Sequence, residues 1–310
     1  MNNISKIAVI GAGNVGATTA MLLAETGLAD IILIDVAENM AKAKSIDMSH
    51  ALAARNSNVS VKSTNDYKDI AGSDIVVVTA GFPRKPGMSR DDLLKANADI
   101  VKAAAREIKK NAPSAIIIIV TNPLDVMTYL LYKVTGFNHN RVLGMAGVLD
   151  SARMTDFIAA KLNAKRSDIN SVVLGSHGDL MVPIFSQTML KGKPLAGLAP
   201  AEELNAISEL TKNAGAEIVS LLGTGSAYYG PAASVVEMVK AILTDNKATH
   251  CVCAYMQGEY GLRDVYIGVP CVLGKNGIER VVELKLTAEE SGLLNKASES
   301  IKAMIRKLEV

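Results

Sequence analysis

The tightest constraint on the fold lies near the start. There Ile7-Ala8-Val9-Ile10 runs into Gly11-Ala12-Gly13-Asn14-Val15-Gly16 and then into residues 17–26, which have helical composition. Four apolar residues without polar alternation predict a short strand buried on both faces. Glycines spaced G-x-G-x-x-G permit a tight turn, close approach of another molecule to the backbone, and tight helix–strand contact. The helix start then offers free N–H groups and the positive end of its dipole, which suits phosphates. Such glycine patterns also arise in ordinary strand–turn–helix units, so the neighbourhood has to decide. It does: a second strand, Ile31-Ile32-Leu33-Ile34, ends in Asp35. That carboxylate falls about 20 residues past the last glycine, where a ribose diol would donate to it. It would also repel a 2′-phosphate. The spacing therefore predicts a site for NAD rather than NADP, built from Gly11, Gly13, Asn14, Val15, Gly16 and Asp35.

The alternation continues. Helices are predicted over 41–54, 91–111 and 124–135, and strands over 59–63, 75–79, 114–120 and 141–145, the last strand of this sheet. Acids open the 91–111 helix and lysines close it, in keeping with its dipole. Strands alternating with helices predict a parallel sheet with right-handed crossovers. A domain boundary near Ala146 divides the chain into 1–145 and 146–310. The second part changes character. A helix opens at Leu149 and reaches about Leu162, strands are expected over 169–174 and 181–190, and two helices over 200–222 and 226–243. Antiparallel strands over 251–257, 265–273 and 278–286 follow. Thr287-Ala288-Glu289-Glu290 is a capping-box pattern that starts a last helix with an apolar stripe of Leu294, Ala297, Ile301, Ile305 and Leu308. The predicted class is α/β: an N-terminal Rossmann parallel sheet with a C-terminal α+β substrate domain.

Composition excludes several classes of function. The 310 residues suffice for one large or two medium domains, but a net charge of +2, no long basic block and 4% aromatics speak against nucleic-acid binding. The most apolar stretch, 115–120, is far below the ~20 residues that span a bilayer. Residues 1–6 lack the long apolar segment of a signal peptide, so a cytoplasmic chain with no membrane partner is expected. Three cysteines (Cys251, Cys253, Cys271) cannot all pair, and one C-x-C without further ligands makes no metal site. They are predicted to be buried strand thiols.

The remaining chemistry is concentrated in few places. Gly175-Ser176-His177-Gly178-Asp179 sets one histidine in a glycine-flanked turn, where an imidazole can take and give a proton near neutral pH. Asp150 and Arg153 lie three apart at a helix start and share a face; an internal salt bridge is one reading, an acidic partner for His177 the other. Asn122, in Thr121-Asn122-Pro123, closes a strand on the edge where open α/β sheets bind ligands. Arg84 and Arg90 lie in a segment broken by Pro83, Pro86 and Gly87, either a solvated loop or a lid that carries cations onto an anion.

With these motifs assembled, the chain resembles the lactate/malate dehydrogenase family over nearly its whole length. Within it, the resemblance is to the malate dehydrogenases nearest in sequence to the lactate enzymes. That implies reversible hydride transfer between (S)-malate and NAD, with lactate dehydrogenase or a non-catalytic NAD-binding protein as alternatives. It further implies that His177 is the acid/base and Asp150 its partner, and that Arg153 holds the substrate C1 carboxylate. Arg90 would polarise the carbonyl, Asn122 would hydrogen-bond the substrate and have a cis bond to Pro123, and Asn97, Val120 and Asn122 would join the cofactor site. Arg84 stands where pyruvate-specific relatives have glutamine, and Gly225 where lactate enzymes typically have threonine; both favour a larger dicarboxylate. A homodimer or homotetramer is implied, in contact through the apolar face of the 41–54 helix. Asp35→Ser should relax cofactor preference toward NADP by removing repulsion of the 2′-phosphate. The ratio of kcat/KM for the two cofactors measures this, and an unchanged ratio rejects the role.

Overall fold

The computed structural model describes residues 4–82 and 90–308, with Arg90 described by its backbone alone. Arg84, and the side chain of Arg90, lie outside the described residues. The chain opens with β1 (Ser5–Ile10), α1 (Asn14–Glu25), β2 (Ala29–Ile34), α2 (Glu38–Ala54) and β3 (Val61–Thr64). It continues through β4 (Ile75–Val78), α3 (Arg90–Asn111), β5 (Ile116–Ile119), α4 (Leu124–Thr135) and β6 (Val142–Gly144). These six strands are parallel and lie in the order β3-β2-β1-β4-β5-β6, the doubly wound Rossmann arrangement. The all-apolar β4 and β5 are wholly buried because helices cover both faces of the sheet. The order reverses between β1 and β4, so the crevice for a ligand lies beyond their carboxyl ends.

The second part comprises α5 (Gly147–Lys161), β7 (Ile169–Asn170), β8 (Val173–Gly175), β9 (Met181–Pro183), β10 (Met189–Leu190) and β11 (Lys193–Pro194). After these come α6 (Ala201–Leu222), α7 (Tyr229–Leu243), β12 (Thr249–Gln257), β13 (Arg263–Gly274), β14 (Gly277–Val281) and α8 (Ala288–Ile305). The expected α+β character holds, with three corrections. The first is that β6 is not the end of its sheet. Gly144 pairs with Cys253 of β12, and the sheet runs on antiparallel through β13, β8 and β9, with β14 alongside β13. A side chain at residue 144 would meet the Cys253 Cβ and the Thr128 hydroxyl at 2.7 Å, so glycine makes the junction possible.

The second correction concerns 169–174 and 181–190, each predicted as one strand. Each is broken: β8 and β9 join the large sheet, while β7, β10 and β11 form a small separate one. Between β9 and β10 the Thr188 hydroxyl donates to the Ile184 carbonyl, and Ser186 is held by Glu290, so local turns replace the ladder. Third, the strand expected to reach 286 stops at Val281. The Val282 N–H still reaches the Pro270 carbonyl at 2.8 Å, but proline has no N–H to return the bond.

The closing helix follows its sequence pattern. Thr287 caps α8 in a reciprocal capping box with Glu290, and Leu294, Ala297 and Ile301 are buried beneath it. All three cysteines are free and buried. The apolar face of α2 is occupied within the chain: Ala41, Met48 and Leu52 join the core, and Met40 and Ile46 are its exposed large apolar side chains.

The glycine loop has the three properties its spacing predicts, divided among its glycines. Gly11 has φ +104°, and a Cβ there would sit 2.7 Å from the Thr79 hydroxyl. Around Gly13 there is open space, which leaves the backbone accessible. At Gly16 a Cβ would stand 1.8 Å from the Gly11 carbonyl oxygen, so α1 can start here only without a side chain. Gly16→Ala should destabilise the protein by ~3 kcal/mol, the upper part of the overpacking range, and weaken dinucleotide binding. Urea unfolding and cofactor titration test this; an unmoved midpoint with unmoved affinity would show that the loop accommodates the methyl group.

Candidate active site

β8 delivers the histidine. It ends at Gly175 (φ +89°), where a Cβ would meet the Leu180 carbonyl at 2.9 Å, and the chain turns through Ser176 and His177 to Gly178 (φ +146°). Opposite, a Cβ on Gly268 of β13 would lie 2.8 Å from the Gly175 carbonyl. Glycine on both strands lets β8 approach β13 closely and fixes the height of the turn. His177 is left with a side chain only 14% exposed.

α5 delivers its partners. Asp150, in the first turn, has a side chain 3% exposed, and its Oδ2 lies 2.9 Å from the His177 Nδ1. The other carboxylate oxygen accepts from the Arg153 guanidinium at 3.5 Å. The two sequence readings of Asp150 therefore both hold: it pairs with Arg153 three residues on and with His177 across the fold. Because Nδ1 is engaged by a carboxylate, it carries the proton in the neutral ring, and Nε2 is the nitrogen left to exchange a proton.

The charges around the ring set its protonation. Burial is the strongest single influence and pulls the imidazole pKa down. The Asp150 charge and hydrogen bond, with the charge of Asp125, outweigh burial against opposition from Arg153, and the net shift is upward. Burial also lowers the Arg153 guanidinium from its usual value, with Asp150 opposing. Gly215 of α6 faces this guanidinium, and a Cβ there would be 3.5 Å from it.

The β5 edge supplies the polar loop. The Asn122–Pro123 bond is cis, as the resemblance implied, and Asn122 is exposed. Asn97 of α3 is 1% exposed; its amide donates to the carbonyls of Asn122 (2.7 Å) and Phe82 (3.2 Å) and accepts from the Phe82 N–H (2.8 Å). Asn97, assigned to the cofactor from the resemblance, is here a bridge that holds two ligand-facing loops. The Thr121 hydroxyl donates to the Ala80 carbonyl at 2.7 Å and ties the same loops together. Val120, at the end of β5, is half-buried.

At the dinucleotide end, Gly13 and Asn14 are exposed, Val15 is half-buried and Gly16 buried. The N–H groups of the first turn of α1 carry no side-chain cap, so they remain for an anion. Asp35 has a further role. It accepts from the Ala12 N–H at 2.6 Å and the Ala37 N–H at 2.8 Å, so it braces the glycine loop. A carboxylate has about four acceptor positions, which leaves room for a ribose diol. The loop, the crevice and the ribose acceptor together fit a dinucleotide. Lys44 of α2 also reaches the loop, donating to the Ala12 carbonyl at 2.7 Å.

Sequence reasoning passed over one buried acid. Asp125, in the first turn of α4, is 2% exposed. Its Oδ2 accepts from the Ser176 hydroxyl at 2.9 Å and the His177 N–H at 3.0 Å, and its Oδ1 from the Cys253 thiol at 3.2 Å. An acid at a helix start is commonplace, and no spacing in the chain links residue 125 to residue 177. Among the described residues no cluster of three or more metal-ligating side chains is present, and no helix is long and apolar enough to cross a membrane.

Comparison with known proteins places these features in a family. The lactate/malate dehydrogenase NAD-binding domain matches residues 5–144, and the α/β C-terminal domain of the same family matches residues 147–309. A malate dehydrogenase of Bacillus thuringiensis (strain Al Hakam) is 50% identical over 305 residues, covering 98% of each chain. The solved malate dehydrogenase of Cryptosporidium parvum superposes with a TM-score of 0.95 at 41% identity, over 98% of this chain and 99% of that one. The lactate dehydrogenase of the same organism, solved with lactic acid and nicotinamide adenine dinucleotide, also gives 0.95 at 41% identity, over 99% and 98%. The chain belongs to the lactate/malate dehydrogenase family.

Proposed function

We propose that the chain is an NAD-dependent malate dehydrogenase that interconverts (S)-malate and oxaloacetate. It works in the cytoplasm as a homodimer or homotetramer, with its domains divided at 145/146. The single observation that carries an acid/base dehydrogenase is Asp150, with one oxygen on the His177 Nδ1 at 2.9 Å and the other on the Arg153 guanidinium. Likeness of fold does not choose the substrate, since a malate and a lactate dehydrogenase superpose equally well. Arg84 supports the choice, because a second cation suits the second carboxylate of oxaloacetate and has no partner in pyruvate. The 50% identical malate dehydrogenase supports the same reading.

When bound, the nicotinamide supplies or accepts the hydride. The dinucleotide would lie across the Gly11–Gly16 loop with its ribose on Asp35 and its nicotinamide toward Asn122. His177, charged, gives a proton from Nε2 to the substrate keto oxygen, and Asp150 stabilises the imidazolium throughout. Arg153 keeps donors free beyond its bond to Asp150 and grips the C1 carboxylate with its planar fork. Arg90 stabilises the oxygen as negative charge develops on it. In the reverse direction neutral His177 takes the hydroxyl proton of malate.

The upward shift at His177 places the pH limb, and the protonation state each direction needs gives its sense. Oxaloacetate reduction needs imidazolium, so kcat/KM should be level at low pH and fall as pH rises through a value above the ordinary histidine figure of about 6.5. Malate oxidation needs the neutral ring and should rise through the same value. A limb at or below 6.5 in both directions would remove His177 as the titrating group.

Substrate choice is tested by substitution in the loop. Arg84→Gln should lower kcat/KM for oxaloacetate ~10²-fold or more, as loss of a charged pair does, while activity on pyruvate holds or rises. Arg90→Gln should depress both, chiefly in kcat, because it acts on the transition state. Steady-state kinetics with the two keto acids decide; equal losses for both in Arg84→Gln would overturn the malate assignment.

A further inference from the structure

Asp125 is the one buried acid in this region that the mechanism above leaves without a task. Its surroundings are unusual. It belongs to α4, three residues beyond Asn122, yet every partner it has lies in the second half of the chain: Ser176 and His177 on the histidine turn, and Cys253 on β12. A backbone N–H can only donate, so the contact with His177 requires an acceptor at Oδ2. The Cys253 thiol, pushed well above its usual value chiefly by burial and then by Asp125, stays protonated and donates to Oδ1. Three donors converge on its two oxygens, an environment suited to a carboxylate.

We infer that Asp125 is the positioning residue for the acid/base histidine, clamping the Ser176 hydroxyl and the His177 N–H from the first turn of α4, the helix that begins at Leu124 two residues after Asn122. This rests on the dehydrogenase reading of the same site. Two consequences follow from the geometry. Asn122, on the substrate loop, and His177, on the opposite half, are set relative to each other through one short stretch, 122–125. An error of about an ångström between two such groups is enough to cost ~10²-fold in rate. The second consequence is electrostatic. The groups that face His177 are Asp150 and Arg153 from α5 and Asp125 from α4, with the neutral Cys253 thiol behind Asp125. Asp125 is thus a second negative charge on the imidazolium, acting through the turn and not through the ring. Burial pushes its own carboxyl up, and the net shift stays upward although Cys253, the charge of His177, Ser176 and the His177 N–H all lower it.

Two variants separate the charge from the clamp. In Asp125→Asn the amide oxygen can keep the bonds from Ser176 and the His177 N–H with its NH2 turned to Cys253, so the clamp stays and the charge goes. Asp125→Ala removes both. The His177 pKa is read by NMR titration of 13C-histidine-labelled protein without substrate, its resonance among the 4 histidines identified by its loss in His177→Asn. Asp125→Asn should lower that pKa by ~0.5 unit or more. Asp125→Ala should in addition lower kcat for oxaloacetate ~10-fold or more while NADH binding stays within about twofold. An unmoved His177 pKa in Asp125→Asn, or a kcat in Asp125→Ala equal to that in Asp125→Asn, overturns the inference. If Asp125→Ala does not fold, the Asp125→Asn titration decides alone. Parent protein inactive on both keto acids would instead overturn the dehydrogenase reading, and the titration would still report on Asp125.

Discussion

The site depends on one carboxylate held between two cations. Asp150 is almost completely buried, and an uncompensated charge there would be costly. Its two oxygens serve two different groups, His177 across the fold and Arg153 on its own helix, so neither can move without exposing the acid to an unpaired state. The first turn of α5 adds the favourable end of a helix dipole to the same carboxylate. With the imidazole protonated, Asp150, Asp125, Arg153 and His177 sum to zero charge. Loss of the ring proton would leave a net negative pocket, which favours reprotonation of the ring.

That arrangement rests on close backbone approaches at a few glycines. Gly144 lets the parallel sheet continue into β12, and a Cβ on Gly147 would come 2.5 Å from the Cys251 Cβ, so α5 starts hard against that strand. The Gly175–Gly268 contact sets β8 beside β13 at similar closeness. Asp150 and His177 meet because α5 is seated on β12 and β8 on its antiparallel neighbour β13, with α5 and β8 packed on each other. An added methyl group at any of these glycines would displace one member of the pair relative to the other.

What could be read in the sequence was what neighbours in the chain decide. The βαβ order, the glycine loop with Asp35, the capping box at Thr287 and the Asp150–Arg153 face all follow from periodicities and short spacings. The pairing of Asp150 with His177 is one of two open readings of that acid, and the resemblance to the family chooses it. The places that escaped were those set by a partner far along the chain. The strand into 286 ends because Pro270, on a neighbouring strand, cannot return a bond. Asn97 reads as any helix asparagine until the two loops it bridges are brought to it. Asp125 gives no local sign of its reach to residue 177, more than fifty positions away.

The division between frame and loop also explains how one scaffold can serve two keto acids. On the proposed reading, His177, Asp150, Arg153 and Asn122 would act on groups that lactate and malate share: the reacting carbon, its oxygen and the adjacent carboxylate. These residues lie on or beside strands and helices, where packing holds them to narrow tolerances. The feature that distinguishes the acids is the charge at the far end of the substrate, and the residue matched to it, Arg84, belongs to the segment between β4 and α3. Equal superposition on a malate and a lactate dehydrogenase shows that the shared frame does not by itself choose the substrate.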